Sequence, residues 1–418
     1  MPTLSAPPHG FRLSQLLYDS RYRARTIQIV ALILVLSAVG WLISNAASNL
    51  AISGKSLSFG FLGDPAGYEI NQRLIEYGPR DSHFRAAMVG LFNTLLVSAL
   101  GCITATIIGT FIGVMRLSTN WLISRLMAVY VEMFRNVPLL LWIVLLMAIL
   151  SEVLPPPSEF RGTDATASML LWDNVAVTNR GIYLPAPMFS HTLGYAALFG
   201  GKLSINLDLV AILCVLAASF LVARLIRGRA NRIQAATGIR PPTLLAQLAV
   251  LALPIAALLT LLGLYFDIPA LKGFNFRGGL HLRNSLLALW WALSLYTAAF
   301  IAEIVRGGIL AISHGQAEAA AALGLRKRQI MRLVILPQAL RVIIPPLISQ
   351  YLSLTKNSSL AIAVGYMEIT GTLMGISLNQ TGRELESVLL GMGIYLLISL
   401  SISAVMNWYN KRVALVER

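Results

Sequence analysis

The stretch SHGQAEAAAALGLRKRQIMRLVILPQALRVIIPP, residues 313–346, is the part of the sequence that decides how the rest is interpreted. An alanine-rich segment, 316–323, ends at Gly324, and glycine suits this position because it tolerates the positive φ with which many helices end. A second, basic segment follows over 325–336 and is interrupted by Pro337. The pattern predicts two short helices that face water and are flanked by more apolar sequence on both sides.

That apolar sequence places the chain among integral membrane proteins. Of its 418 residues, 56% are hydrophobic and only 12% are charged, whereas soluble domains have about one-quarter charged residues. The net charge of +15 arises largely from Lys and Arg in short loops beside apolar runs, where they orient helices, so we expect no nucleic-acid partner. Cys102 and Cys214 lie inside apolar segments and give neither a disulfide framework nor a metal-ligand spacing.

Eight stretches approach the roughly 20 apolar residues that a helix needs to cross the lipid bilayer. They cover residues 26–46, 88–115, 128–150, 207–225, 244–266, 285–305, 342–365 and 388–408. Arg-rich short segments at 226–242 and 306–341 follow the even-numbered crossings, so the positive-inside rule places them, and both termini, in the cytoplasm. The long polar leader favours a retained first helix over a cleaved signal peptide.

The third stretch has two readings. It carries Glu132 and Arg135 before Pro138, and charges are costly at the bilayer centre. Either the stretch is one span with a proline kink near its inner end, or an amphipathic interfacial helix over 121–134 precedes a short span.

The seventh stretch is irregular as well. Pro345 and Pro346 are expected to open it, and the polar run 356–359 is expected to interrupt its middle. Unwound backbone at membrane depth is tolerated where it lines a cavity, which would place this run in the protein interior. The alternative is that Lys356 extends its amine to the outer interface.

We find no enzyme signature. Gly54-Lys55-Ser56 is similar to the end of a phosphate-binding loop, but that motif needs a glycine at position 49, which is Asn49. The five histidines show no ligand spacing. We therefore predict a non-enzymatic chain with no catalytic residues, no metal and no cofactor of its own.

Several motifs resemble those of ABC importer permeases. Glu318-Ala319-Ala320, three residues, Gly324, nine residues and a segment ending in Leu336-Pro337 resemble the EAA loop, with Val334 where the family has Ile. NTLLVSALG at 93–101 and SLTKNSSLAIAVG at 353–365 are similar to the polar amino-acid (His/Glu/Gln-type) subfamily. FGFLGDPAGYEI at 59–70 is similar to the general L-amino-acid permeases of the Aap/Bzt type.

This resemblance implies an all-α, polytopic fold with about eight transmembrane helices. The second, third, sixth, seventh and eighth would form the five-helix MetI-like core, and the other three would be additions. The implied divisions are a leader (1–26), a first helix with a periplasmic loop (27–87), the first part of the core (88–154), an insertion with two helices (155–283), the second part of the core with the EAA loop at 306–341 (284–410), and a cytoplasmic tail (411–418).

The resemblance also implies a function. The chain would be the permease subunit of an ATP-driven importer that moves L-amino acids across the bacterial inner membrane by alternating access. Its partners would be two ATPase subunits carrying ATP and Mg, a second permease that is a different chain, a periplasmic amino-acid-binding protein and the lipid bilayer. The alternative is a secondary, ion-coupled amino-acid transporter without an ATPase, although the sequence shows no internal repeat of the kind such carriers have.

Two sets of candidate residues follow from the resemblance. The ATPase-coupling set is Glu318, Ala319, Ala320, Gly324, Leu336 and Pro337, in which Glu318 anchors the loop, the alanines permit close approach and Gly324 sets the turn. The candidate substrate-pathway set is Lys356, Asn357, Ser358 and Glu303. The first three would meet the substrate carboxylate. Glu303 is the most available acid, although the nearby Arg306 is a simpler partner for it, and all four residues could instead serve only helix packing.

Overall fold

The computed structural model describes residues 20–52, 57–162, 165–198 and 203–413. The chain divides into two compact units, Met1–Phe61 and Leu62–Arg418, which we describe separately. In the first unit, helix α1 (Ser20–Ile52) exposes apolar side chains all around its axis, including Leu34 and Trp41. A helix that is apolar on every side is suited to lipid.

The second unit is predominantly helical. Its helices are α2 (His83–Met115), α3 (Trp121–Asn136), α4 (Leu139–Glu152), α5 (Leu207–Thr237), α6 (Leu244–Leu261), α7 (Asn284–Leu310), α8 (His314–Ala322), α9 (Lys327–Ile330), α10 (Leu336–Asn357), α11 (Leu378–Thr381) and α12 (Glu384–Val413). Other helical turns are the 3-10 segments Pro157–Phe160 and Ser358–Val364 and the π segments Met331–Ile335 and Thr370–Ser377. Across the described residues, eight helices are long and apolar enough to cross a membrane, which confirms the predicted polytopic helical fold.

Nine short strands, which the sequence did not suggest, accompany these helices in the part of the chain that the structure describes. They are β1 (Ala176–Thr178), β2 (Gly181–Leu184), β3 (Ala186–Phe189), β4 (Tyr195–Leu198), β5 (Leu203–Asn206), β6 (Leu264–Asp267), β7 (Ala270–Lys272), β8 (Asn275–Arg277) and β9 (Leu280–Arg283). They form an antiparallel sheet of order β1-β2-β9 and the antiparallel pairs β3-β6, β4-β5 and β7-β8. Strands before α5 thus pair with strands after α6, and both flank the start of α7.

Helix α7 is the centre of the second unit. It packs against α2, α3, α4 and α10, and much of its length is buried. Helix α2 approaches it closely because glycines face it: a Cβ atom at Gly109 would lie 2.8 Å from the Ala298 carbonyl oxygen, and one at Gly113 would lie 2.7 Å from that of Ala302. Small residues four apart allow this kind of close contact between membrane helices. We call the end where α7 begins the strand end, and the opposite end, where α8 follows, the α8 end.

The predicted third span, 128–150, is two helices rather than one. Helix α3 ends at Asn136, and Val137 adopts an extended backbone before α4 begins at Leu139. Pro138 explains the break because it lacks an N–H donor and excludes the helical conformation for the residue before it. The arrangement agrees with the alternative reading, an amphipathic helix followed by a short span.

The predicted proline start of the seventh span is wrong. Helix α10 begins at Leu336 and continues through Pro345 and Pro346, and the whole stretch Lys327–Val364 is helical. At the polar run 356–359 the backbone does not unwind. It tightens from α-helix to 3-10 helix at Ser358 and ends at Gly365, whose φ is +68°. Helical turns before the prolines therefore extend the helix toward the α8 end.

Candidate functional site

The turn after α8 explains why glycine occupies position 324. The N–H of Gly324 donates to the Ala321 carbonyl at 2.9 Å, and the N–H of Leu325 donates to the Ala320 carbonyl at 3.3 Å. This is the Schellman arrangement, which satisfies the last carbonyls of a helix and places its glycine at positive φ. Gly324 has a φ of +77°, and there is open space where a Cβ would lie. The constraint at Gly324 is therefore on its backbone.

The coupling residues divide between an inner and an outer face of this turn. Ala320 is buried, as is Ile330 of α9, and α8 packs against α9 and the π segment Met331–Ile335. Glu318, Ala319 and Gly324 are exposed, and Leu323 is 82% exposed. Among the residues that the structure describes, Glu318 makes no ion pair.

The remaining coupling residues, Leu336 and Pro337, begin helix α10. Leu336 is half-exposed, and Pro337 lies in the first turn of α10, directly after the π segment Met331–Ile335. The turn before α10 is stabilised from within, because the Arg326 N–H donates to the Gln329 side-chain oxygen at 2.9 Å. The fixed glycine and Leu-Pro spacing thus corresponds to a helix end, a turn and the start of the next long helix.

Glu303 lies near the α8 end of α7 and is shared by three arginines. Its carboxylate accepts a charge-assisted hydrogen bond from Arg116 and lies 3.6 Å from Arg306 and 3.8 Å from Arg135. From the sequence we identified Arg306 as a partner of Glu303 but not Arg116 or Arg135, because we considered Arg135 together with Glu132. In the structure Glu132 instead accepts a hydrogen bond from Asn136 at 3.2 Å. The Glu303 cluster joins α7 to α3 and to the end of α2.

Lys356 lines a cavity of about 510 Å³ between the end of α10 and helix α12. Ser359, Thr370, Met374 and Tyr395 contribute to its wall. We call this space the Lys356 cavity. Its volume falls in the range of small-molecule sites, and its wall combines apolar side chains with a few polar groups.

Ser358 lies behind this wall. It is buried, its hydroxyl donates to the Thr355 carbonyl at 2.7 Å, and it lies 3.4 Å from the Tyr395 hydroxyl. Asn357 ends α10 and is partly buried, but it does not line the cavity, and neither does Glu303. The structure therefore places Ser358 behind the wall of the cavity that Lys356 lines, and Glu303 in a different cluster.

Glu368 is a functional candidate that sequence reasoning missed. The residue is fully buried, and its carboxyl accepts hydrogen bonds from the Thr370 N–H at 2.7 Å, the Gly371 N–H at 3.1 Å and the Tyr395 hydroxyl at 2.5 Å. The hydroxyl of Thr94 on α2 lies 3.3 Å away. An acid in an otherwise apolar stretch was the available signal, because a buried carboxyl needs such donors. Through Tyr395 it is connected to the Lys356 cavity.

No metal centre is apparent in the described ranges. Within residues 20–52, 57–162, 165–198 and 203–413, no group of three or more His, Cys, Asp or Glu side chains is placed to hold a metal ion.

Comparisons with known proteins identify relatives. Residues 246–415 match the family described as "Binding-protein-dependent transport system inner membrane component". The chain is 58% identical, over the full length of both chains, to the glutamate/glutamine/aspartate/asparagine transport system permease protein BztB of Rhodobacter capsulatus. It is 42% identical to the general L-amino acid transport system permease protein AapQ of Rhizobium johnstonii, over 99% of this chain and 98% of that one.

A solved structure is more distantly similar. The crystal structure of an amino acid ABC transporter with histidines aligns with a TM-score of 0.44 and 18% identity, covering 79% of this chain and 95% of that chain. The sequence similarity to the two permeases extends over residues 155–283 as well as the rest of the chain.

Proposed function

The chain belongs to the family of polar amino-acid ABC transporter permeases of the Aap/Bzt type, and on this basis we propose that it is the membrane subunit of an ATP-driven importer for acidic amino acids and their amides. The observation that carries the proposal is the 58% identity, over both full lengths, to a permease named for glutamate, glutamine, aspartate and asparagine. Membership among ABC permeases favours this function over an ion-coupled secondary carrier.

The orientation we propose places the α8 end in the cytoplasm and the strand end in the periplasm, with both termini cytoplasmic. The support is the distribution of charge. Arg227, Arg229 and Arg232 lie in the part of α5 farthest from the strands, and Arg326, Lys327 and Arg328 follow α8. Cytoplasmic segments next to membrane helices carry this excess of basic residues.

The partners follow from that orientation. Two ATPase subunits, which bring ATP and Mg, dock at the exposed face of α8, with Glu318 and Leu323 in contact. A second permease, a different chain, completes the pathway, and a periplasmic binding protein delivers substrate at the strand end. The family consists of membrane permease subunits, and we assign ATP hydrolysis to the partners.

Movement of α8 can be transmitted to the Lys356 cavity through one helical stretch. The helical stretch Lys327–Val364 is continuous, and its main part, α10, is 22 residues or about 33 Å long. A rigid helix that begins beside the coupling turn and ends at the cavity can convert ATPase closure into movement of Lys356. This is our account of how alternating access is coupled to ATP.

The substrate pathway we propose passes through the Lys356 cavity. The Lys356 ammonium would pair with the substrate carboxylate, Asn357 and Ser358 would support the helix end behind it, and the buried Glu368 would hold Tyr395 in place. We assign Glu303 to holding α7 against α2 and α3, because three arginines already share its carboxylate.

The test is purification of the complex in mild detergent followed by reconstitution in vesicles. We expect an ATPase and a second permease to co-purify, and uptake of labelled L-glutamate to require ATP and to persist when an ionophore collapses ion gradients. Uptake that is driven by an ion gradient in the absence of ATP would contradict the proposal.

A further inference from the structure

A groove of about 760 Å³ runs along the second half of helix α5. We call it the α5 groove. It is separate from the Lys356 cavity, with which it shares no lining residue. The residues that line it all belong to α5 and are Leu221, Arg224, Leu225, Gly228, Arg229 and Arg232. The groove is therefore a feature of one face of one helix.

The α5 groove lies opposite the packed side of the helix. In this half of α5 the buried side chains are Ala223 and Ala230, which are seven residues apart and therefore share one face. Leu221 and Gly228 each precede one of these alanines by two residues, which places them about 160° around the helix axis from it. All six lining residues are exposed. The groove thus faces the surroundings of α5.

Its position along α5 is the level at which the hydrocarbon of a bilayer meets the lipid headgroups. Arg224 and Arg232 follow Leu207, where α5 starts, by 17 and 25 residues, so they lie about 26 and 38 Å along the axis. The hydrocarbon core is about 30 Å thick. Leu221 and Leu225, which are 60% and 72% exposed, lie on the hydrocarbon side of this level. Arg224 can extend its guanidinium group toward the headgroups.

The arginines of the α5 groove have no acid to pair with. In the part of the chain that the structure describes, Arg224, Arg229 and Arg232 form no ion pair. Residues 209–266 contain five arginines and neither Asp nor Glu, so helix α6, against which α5 chiefly packs, cannot supply a counter-charge. A concave cluster of one sign of charge attracts ions of the other sign, and the guanidinium group matches the geometry of phosphate.

Gly228 leaves a recess between two of these arginines. Arg224 precedes it by one turn and Arg232 follows it by one turn, so the three positions share a face. A Cβ atom added at Gly228 would have no atom within 4 Å, so close packing does not explain the glycine. Glycine also weakens a helix interior relative to alanine. What it provides here is an open position between two guanidinium groups, into which a phosphate fits.

We propose that the α5 groove binds an anionic phospholipid. Its phosphate meets the three arginines at the recess of Gly228, and its acyl chains lie along Leu221 and Leu225. A soluble anion would match the arginines alone, whereas a phospholipid matches the arginines and the leucines together. Basic clusters beside membrane helices recognise anionic lipids in this way. Orientation by the positive-inside rule needs only the charge of these arginines, whereas the lipid site needs their positions.

The test measures which lipid lies beside the groove in the complete importer. Phe220→Cys, in a background with Cys102→Ser and Cys214→Ser, carries a bimane fluorophore at an exposed position that does not line the groove. The importer is reconstituted in vesicles of phosphatidylglycerol and phosphatidylcholine, one of which has brominated acyl chains that quench the fluorophore. We expect phosphatidylglycerol to be preferred by about tenfold or more, because charge-assisted hydrogen bonds to phosphate are strong.

Two variants should lose this preference. Arg224→Gln/Arg232→Gln removes two lining guanidinium groups and should reduce the preference to about twofold or less. Gly228→Leu keeps every charge but fills the recess, and it should have the same effect. Arg227→Gln/Arg240→Gln is the matched control, since it removes two exposed arginines that do not line the groove. It should leave the preference within about twofold of the parent, because charges outside the groove are screened.

Three results would overturn the lipid site. The first is an unchanged preference in Arg224→Gln/Arg232→Gln or in Gly228→Leu. The second is an equal loss of preference in Arg224→Gln/Arg232→Gln and in its control, since net charge alone would then explain the arginines. The third is loss of the co-purifying permease from Arg224→Gln/Arg232→Gln while the lipid preference is unchanged, which would assign this face of α5 to a protein partner.

Discussion

At the scale of single residues, backbone conformation and desolvation decide which side chains matter. Gly324 is required by its positive φ, and Ala320 by its burial under the same turn. Glu318, in contrast, is exposed and has no ion-pair partner among the described residues, and the role that we propose for it is contact with the ATPase. Substitutions at Gly324, Ala320 and Glu318 are therefore expected to impair function for different reasons.

Gly324→Asp is expected to uncouple ATP hydrolysis from uptake, because it adds a negative charge to the exposed turn that we propose docks the ATPase. Gly324→Asn should retain most uptake, since asparagine tolerates this conformation. Gly315→Ala is the control, because Gly315 lies in α8 without a positive φ and the atom nearest to an added Cβ would be 3.9 Å away. The measurement is uptake per ATP hydrolysed, and equal ratios in Gly324→Asp and the parent would contradict the assignment.

Glu318→Lys is expected to weaken recovery of the ATPase with the complex while the chain itself folds normally. The exposed acid has no ion pair to lose in the described chain, so thermal unfolding of the isolated chain should shift little. Pull-down of the ATPase checks the first expectation, and the unfolding midpoint checks the second. Full ATPase recovery would show that Glu318 is not part of the docking face.

Lys356→Gln is expected to raise the KM for L-glutamate by about 10-fold or more, because hydrogen bonds to charged groups contribute about 1.5–3 kcal/mol. Lys356→Arg should recover part of this effect. Lys272→Gln, on the exposed strand β7, is the control. Initial-rate uptake kinetics make the comparison. An unchanged KM would mean that Lys356 only extends its amine toward an interface.

His281 gives the strand end a pH-dependent stability. Burial, the largest cause, holds the pKa of His281 below its ordinary value, the nearby Arg283 adds to this, and the hydrogen bond to the Arg180 carbonyl opposes it. The unfolded chain therefore takes up this proton first, so stability falls as the pH drops below about 6.5. His281→Asn should reduce the loss in unfolding midpoint between pH 7.5 and 5.5.

At the scale of elements, the contact of α2 with α7 determines the packing of the second unit. Gly109 and Gly113 let the two backbones approach, and a cluster of buried side chains, including Ala105, Ala298 and Ile301, fills the space beside them.

Proline also has different effects on different elements. Pro138 separates α3 from α4, whereas Pro345 and Pro346 lie within a continuous α10. The same residue type therefore predicted one boundary correctly and another wrongly.

Gly113→Ala is expected to destabilise the chain by about 1–3 kcal/mol, as overpacking does, because the new methyl group would meet the Ala302 backbone oxygen at 2.7 Å. Gly307→Ala is the matched helical control, since no atom lies within 4 Å of its added Cβ. That change should be neutral or stabilising by up to about 1 kcal/mol. Unfolding midpoints in detergent compare the two, and equal shifts would argue against a close α2–α7 contact.

At the scale of the whole molecule, we propose that α5 and α6 are an addition that can be separated from the rest of the second unit. They pack chiefly against each other. The strands on either side of them, β3 and β6, are already paired, with Phe189 opposite Leu264. An inserted pair of crossings leaves the direction of the following helices unchanged, so the remaining helices keep their orientation.

Replacing residues 190–263 by Asn-Gly is expected to give a chain that still assembles and transports, because a two-residue turn can join the paired ends of β3 and β6. Excising 190–264 instead is the control, since it shifts the register by one residue and reverses the faces of β6. Uptake and co-purification of the partner permease are measured. Loss of the partner permease from a first variant that still folds would show that α5 and α6 hold it.

The sequence by itself determined the membrane class, the number of candidate spans and the family, because hydropathy and motif spacing are local properties of the order of residues. Most residues of the predicted coupling turn could be recognised in the same way, because its glycine and its Leu-Pro pair stand at fixed distances in the motif. Glu303 was recognised with Arg306, its neighbour one turn away, but not with Arg116, which is 187 residues distant.

Only the tertiary structure brought together Glu368 with Thr94, which are 274 residues apart, and Asn284 with Asn179, which are 105 apart. No pattern in the sequence records such contacts, because they depend on how helices cross and how far glycines let them approach. The short strands are a similar case, since β2 pairs with β9 across the whole α5–α6 insertion. The role of a buried polar group can therefore be judged only from the packed structure, which shows whether the group has a hydrogen-bond partner.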